Sequence, residues 1–212
     1  MGAKTTSDLL NVNKISRSEA SYLLSFCNNI SPAFILSYVV AQNMKERNLC
    51  IPFFLILTFT PLMLSFIFRL FYRLPEPLVP PQVTPGSFSN PSESISDNFL
   101  DRCILNAFES VTKVGGYMMM FSVLIQLLAS VLPNTIFSLL LYSSLEISTG
   151  IRLLFSSALY TTEKIILCAF LTSFGGWCCI AQTYSMISSS QLPILPYITA
   201  KLVTALVTSL LI

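Results

Sequence analysis

The chain has 212 residues, of which 53% are hydrophobic and only 10% charged, and its mean hydropathy is +0.71. A typical soluble domain is about one-quarter charged, so this composition excludes a soluble fold with a water-covered surface. The apolar residues fall in runs of roughly 20, the length that crosses a hydrocarbon core of about 30 Å. We therefore predict an all-α, polytopic protein of the cell membrane, with the lipid bilayer as its first partner.

The charges and cysteines exclude further classes. The net charge is +2 and is spread along the chain, so no nucleic-acid partner is expected, because that requires a clustered basic face. The chain has six cysteines, no C-x-x-C pair and no histidine, which argues against a zinc site. Because the Walker A, H-E-x-x-H and G-x-S-x-G motifs are also missing, we expect no enzyme, no cofactor and no metal.

The predicted first membrane half, residues 1–73, opens with a short amphipathic helix and a turn over residues 5–19. Ser16 and Glu19 have the spacing of a capping box, which predicts that the next helix begins near Arg17. Two apolar runs follow and are predicted to cross the membrane. They are residues 20–42, which the motif NNISP interrupts, and residues 49–71.

Prolines crowd residues 74–96, which predicts an extended linker outside the membrane. The second membrane half, residues 97–212, begins with an amphipathic stretch, residues 95–113, expected at the membrane interface. The other predicted elements are a span over 114–132, a re-entrant or broken element over 136–154 that Gly150 interrupts, and spans over 165–187 and 192–212.

The two halves share an order of features: an acidic residue at the helix entry, a half-helix, a break and a proline-led span. This order predicts an inverted repeat with paired broken or re-entrant helices. Such a pair is typical of a transporter binding site, because broken backbone in lipid must be buried in protein or face a watery cavity. The aligned features are Glu19 with Glu163, the NNISP motif with SFGG, Ser31-Pro32 with Gly175-Gly176, and Pro52 with Pro196.

The first break contributes the candidate site residues Asn28, Asn29 and Ser31. Two adjacent amides at membrane depth are costly to desolvate unless they are paired. We therefore interpret them as contacts to a small polar solute or ion. The alternative is a helix kink whose amides cap the broken backbone.

The second break contributes the candidates Ser173, Gly175 and Gly176, and Gln182 follows on the next half-helix. Glycine permits a re-entrant turn or a close approach of backbone to a ligand. The alternative is the packing of helices through small residues, which is common in membranes.

Glu146 is the last candidate, because a carboxylate in an apolar stretch is expensive and usually functional. Its expected role is proton carrier, cation ligand or hydrogen-bond partner of a polar ligand. The alternatives are an ion pair with Arg152 and an interfacial position. Lys201, inside the last span, is expected to extend to the interface rather than pair with Glu146.

Several segments, taken in their order along the chain, resemble the sporulation integral membrane protein YlbJ family. They are GAKTTSDL, ISRSEASYLLSFCNNISPAFIL, DRCILNAFESVTKVGGYMMMFSVL, LEISTGI, FGGWCCIAQTYSMI and PYITAKL. The family is similar to nucleoside-recognition or gate proteins, which share pieces with concentrative nucleoside transporters and with the membrane gate of ferrous-iron transporters. Its members carry further membrane helices before the GAK motif, so we expect this chain to be N-terminally short.

The resemblance implies a role in sporulation without identifying a substrate. We predict a transporter-like protein that binds a small polar solute or coupling ion at the paired breaks, with one half moving against the other to give alternating access. The alternative is a structural or assembly factor of the developing spore membrane. Self-association into a homo-oligomer is left open.

Overall fold

A computed structural model describes residues 2–44, 47–72, 97–133 and 135–212. Within these ranges the chain is entirely helical, without a strand, and four segments are long and apolar enough to cross a membrane. These findings confirm an all-helical fold with several candidate membrane spans. The four segments are Arg17–Met44, Cys50–Leu70, Cys103–Val131 and Thr161–Ser190.

Ten α-helices, a π-helix and short 3₁₀ turns make up the described part of the chain. The helices are α1 (Gly2–Asn11), α2 (Arg17–Cys27), α3 (Pro32–Phe34), α4 (Cys50–Phe71), α5 (Asp97–Val131), α6 (Ile136–Leu145), α7 (Ile147–Ser156), α8 (Thr161–Phe174), α9 (Gly176–Ile187) and α10 (Leu195–Leu211). The π-helix, Ile35–Met44, continues directly from α3. With 17 residues, α10 is shorter than the four candidate spans, and its crossing of the membrane stays a prediction.

The start of α2 follows the sequence prediction. The Ser16 hydroxyl accepts a hydrogen bond from the Glu19 amide at 3.2 Å, and the Glu19 carboxylate accepts one from the Ser16 amide at 2.7 Å. This reciprocal capping box satisfies two N–H groups that the first helical turn leaves free. The helix therefore begins at Arg17, as predicted.

The predicted linker, residues 74–96, lies outside the described residues. After it, the structure differs from the prediction of an interfacial stretch followed by a separate span. One continuous helix, α5, runs for 35 residues, or about 52 Å. Gly115 and Gly116 lie inside this helix and do not interrupt it. A methyl group at either position would meet no atom of another element within 4 Å.

The predicted break at Gly150 is also corrected. The chain turns at Glu146 instead, between α6 and α7, and the two helices pack against each other as a hairpin. Gly150 lies within α7 at their contact, where a methyl group would lie 2.6 Å from Ser143 Cα. Glycine is therefore required at this position for close packing of the two helices and not for a turn.

Two hydrophobic clusters hold the described helices together. The first combines residues such as Val39 and Phe53 with Leu154 and Cys168, and the second surrounds Tyr197. Each cluster contains residues from both predicted halves. In the first, α7 packs on the π-helix and α8 on α4, and in the second α10 packs on α2. Large apolar side chains on α4 and α5 point outward, as expected for surfaces that face lipid. Examples are Ile51, Phe66, Leu105 and Phe108.

Candidate functional site

The first interruption lies between the end of α2 at Cys27 and the start of α3 at Pro32. Asn28 donates hydrogen bonds from Nδ2 to Thr183 Oγ1 at 2.7 Å and to Tyr197 OH at 3.0 Å. Its amide therefore connects the end of α2 to α9 and α10. Both partners are more than 150 residues away in the sequence, so no local pattern could have identified them.

Asn29 makes local and long-range contacts. Its Nδ2 donates to the Phe26 carbonyl at 2.6 Å, so the amide caps broken backbone as the alternative interpretation predicted. Its Oδ1 accepts a hydrogen bond from Lys201 Nζ at 2.7 Å. The expectation that Lys201 extends to the membrane interface is wrong, because its side chain is only 4% exposed.

Ser31 is the N-cap of α3, and its hydroxyl accepts a hydrogen bond from the Phe34 amide at 3.2 Å. The helix continues past Phe34 with π geometry, in which Asn43 Nδ2 donates to the Tyr38 carbonyl at 2.8 Å. Sequence analysis missed this geometry, since π turns have no distinct apolar period. They are often found at functional sites.

The second interruption is a single residue, Gly175, between α8 and α9. Gly175 and Gly176 have φ angles of +84° and +80°, a left-handed conformation that side chains with a Cβ rarely adopt. The Gly175 amide donates to the Leu171 carbonyl at 2.8 Å and closes the last turn of α8. No side chain caps the start of α9.

Glu146 forms the third interruption, between α6 and α7. It is 2% exposed, and its two carboxylate oxygens accept hydrogen bonds from the Ser148 and Thr149 amides at 2.9 and 2.8 Å. The N–H groups at the N-terminal end of α7 therefore satisfy both oxygens of this buried side chain. The predicted alternative, an ion pair with Arg152, is not present; in the described ranges the only ion pair joins Glu109 and Lys113.

The three interruptions line one cavity of about 300 Å³. Six of the eight predicted site residues lie in its wall: Asn28, Asn29, Ser31, Glu146, Gly175 and Gln182. Apolar side chains, including Phe34 and Met118, complete the wall. The cavity thus offers amide, hydroxyl and backbone groups within an otherwise apolar surface, which is the usual composition of a small-molecule site.

The other two predicted site residues lie elsewhere. Ser173 lines a separate cavity of about 20 Å³, and its buried hydroxyl has no hydrogen-bond partner among the described residues. Gly176 packs against the hairpin, where a methyl group would lie 3.0 Å from the Ser144 carbonyl oxygen. Its environment agrees with the alternative interpretation, in which a small residue lets two helices approach closely.

Sequence analysis missed the polar side of α10. Four polar side chains on this apolar helix are buried, and their spacing of three or four residues places them on one face. This spacing, with a tyrosine and a lysine one turn apart, was the available sign that the face contacts protein rather than lipid. The residues are Tyr197, Lys201, Thr204 and Thr208.

Comparison with known proteins gives one informative relationship. The chain is similar to the sporulation integral membrane protein YlbJ of Bacillus subtilis (strain 168), with 25% identity over 231 residues. This similarity agrees with the resemblance of the sequence segments to that family. The match covers 95% of this chain and 57% of the relative, so the chain spans little more than half the length of that protein. The four candidate spans of this chain agree with the description of that relative as an integral membrane protein.

The other comparisons give no match. No protein-family model matches the chain, and no solved structure matches it at a significant level.

Proposed function

We propose that this chain is a transporter-like component of the sporulation membrane, and that it binds a small polar solute in the cavity formed by the three interruptions. The observation that carries the proposal is the meeting of Asn28, Glu146 and Gly175, from three separate parts of the chain, in one wall. Interrupted helices in a membrane are costly unless the freed backbone is buried in protein or faces a watery cavity.

The size and chemistry of the cavity define the class of solute. About 300 Å³ is at the lower end of the range for ligand pockets, so the occupant would be a small molecule. Asn28, Asn29 and Gln182 supply amides that can donate and accept, while Phe34 and Met118 supply apolar contact. This combination favours a solute with several hydrogen-bonding groups on a partly apolar body.

Binding is favoured over catalysis by the state of the one carboxylate in this wall. Both oxygens of Glu146 are engaged by backbone amides of α7. A carboxylate that caps a helix in this way has a structural role in the wall that requires no catalysis.

A neighbouring cavity offers the proposed solute a route. It measures about 290 Å³ and includes Lys4 and Ser110, which are joined by a hydrogen bond of 2.8 Å. Asn28 and Gln182 line both cavities. We therefore expect these two amides to lie between an entry chamber and the binding chamber, where they can select the solute.

The test is a count of heat-resistant spores in a Bacillus subtilis strain that lacks YlbJ and expresses this chain. Three variants alter the cavity wall: Asn28→Ala, Glu146→Gln and Gln182→Ala. Gln42→Ala is the matched control, because Gln42 is an exposed amide at the end of the π-helix. Membrane levels of every variant are measured by blotting.

We expect the unaltered chain and Gln42→Ala to restore spores, and Gln182→Ala to reduce them at least tenfold at normal membrane levels. Full restoration by all cavity variants would reject solute binding and favour the alternative role, a structural or assembly factor. If the unaltered chain fails to restore spores although its membrane level is normal, the proposal that this chain functions by itself is contradicted. A supporting result would lead to uptake measurements with a panel of small polar solutes.

A further inference from the structure

Lys201 is a buried cation in the middle of α10. Its Nζ donates to Asn29 Oδ1 at 2.7 Å and lies 5.9 Å from the ring centroid of Tyr197. In the part of the chain that the structure describes, no carboxylate lies within ion-pair distance of it. An isolated charge in an apolar interior is costly, so its environment must offer other stabilisation.

The carbonyl end of α2 provides part of that stabilisation. Asn29 donates to the Phe26 carbonyl at 2.6 Å and accepts from Lys201, so one amide connects the last turn of α2 with the ammonium group. The C-terminal end of a helix carries a partial negative charge of roughly 0.5, which favours a nearby cation.

A small cavity beside Asn29 is lined by residues that carry further oxygen atoms. It measures about 20 Å³ and includes Leu57, Pro61 and Ser173 in its wall. Pro61 has no N–H group, so the Leu57 carbonyl one turn earlier lacks its usual helical donor. The Ser173 hydroxyl is buried, and it has no hydrogen-bond partner within the described ranges. This volume fits one particle of the size of water, and freed carbonyls with a hydroxyl are typical ligands of a monovalent cation in transporters.

Lys201 lies on α10, which packs on α2, α4 and α8. These are the helices that contain the Phe26 carbonyl, Pro61 and Ser173. We propose that Lys201 is a tethered cation: its ammonium group supplies the positive charge that this junction of α2, α4 and α8 favours, in place of a dissociable ion. Lys201 is then a positioning residue that holds Asn29, and through it the first interruption, in place. The proposal does not depend on transport.

The first test compares Lys201→Met with Lys201→Arg by thermal unfolding of the purified full chain in detergent. Methionine has a similar length but no charge, while arginine keeps the charge. If Lys201 is only a buried core residue, methionine should be as stable as lysine or more stable. A tethered cation predicts that Lys201→Met melts roughly 5–10 °C below the unaltered chain.

The same cation should be replaceable from solution. In Lys201→Ala, 100 mM ammonium chloride is compared with tetramethylammonium chloride, which is too large for the space, at about equal ionic strength. We expect ammonium to restore at least half of the lost melting temperature, and the added Ser173→Ala change to weaken this rescue. The unaltered chain should melt at one temperature in both salts.

The outcomes separate clearly. Lys201→Arg melting above Lys201→Met supports the tethered cation, and rescue of Lys201→Ala by ammonium but not by tetramethylammonium strengthens that support. The proposal is overturned if Lys201→Met melts at or above Lys201→Arg, and this pair decides the question even if Lys201→Ala does not accumulate. Because the readout is unfolding, a negative spore count would leave this result unaffected.

Discussion

The first and second interruptions both end one helix and begin another, but different groups satisfy the backbone at each. At the first, the side chains of Asn29 and Ser31 bond to backbone groups at the ends of α2 and α3. At the second, two left-handed glycines turn the chain, and the Gly175 amide closes α8 without help from a side chain. Both interruptions border the same cavity. The first brings two amide side chains to it, whereas beyond the second the amide comes from Gln182, on α9.

The difference shows that a polar motif and a glycine motif have distinct tolerances to mutation. One capping side chain can be replaced by another that also caps. A left-handed glycine that packs against the backbone of another helix has no equivalent replacement. The predicted inverted repeat would relate these two sites to each other. It stays a prediction, as does the behaviour of either segment as a broken or re-entrant membrane helix.

The largest expected effect is at the second interruption. Gly176→Ala combines a φ of +80° with a methyl group 3.0 Å from the Ser144 carbonyl oxygen. We expect it to lower the free energy of unfolding by about 1–3 kcal/mol, measured by denaturant unfolding in detergent. The control, Gly116→Ala in α5, meets no atom and should be neutral or stabilising by up to about 1 kcal/mol. Equal stability of the two variants would contradict this account of the second interruption.

A smaller effect is expected at the first interruption. Ser31→Ala removes the hydroxyl that caps α3 and should lower the free energy of unfolding by about 1 kcal/mol. Ser31→Thr keeps a capping hydroxyl and should retain most of the stability. If the alanine and threonine variants unfold at the same denaturant concentration, the first interruption does not depend on this cap.

The smallest effect on stability is expected at Ser173, near the end of α8. Ser173→Ala removes a buried hydroxyl that has no partner in the part of the chain that the structure describes. The free energy of unfolding should therefore change by no more than about 0.5 kcal/mol. Thr183→Val is the contrast, because it removes a hydroxyl bonded to Asn28 and Tyr197 and should cost about 1–2 kcal/mol. A large loss of stability in Ser173→Ala would reveal a contact at this hydroxyl.

Local features of the sequence determined the class of the protein and several helix ends. Runs of about 20 apolar residues identify membrane helices because the bilayer has a fixed thickness. The capping box at Ser16 and Glu19 fixed the start of α2 because both partners lie within one turn. The helix ends near Asn28 and at Gly175 coincide with the polar and glycine motifs of the sequence.

Only the tertiary structure decided which polar groups meet. Gly150 marked a break in the sequence, yet the turn is at Glu146, because the N-terminus of α7 binds a carboxylate and close packing on α6 uses the glycine. Lys201 was expected to reach the interface, but it is buried where α10 packs on α2, and it donates a hydrogen bond to Asn29, 172 positions away. Hydropathy and caps are properties of neighbouring residues, whereas pairing across the chain depends on how the helices pack.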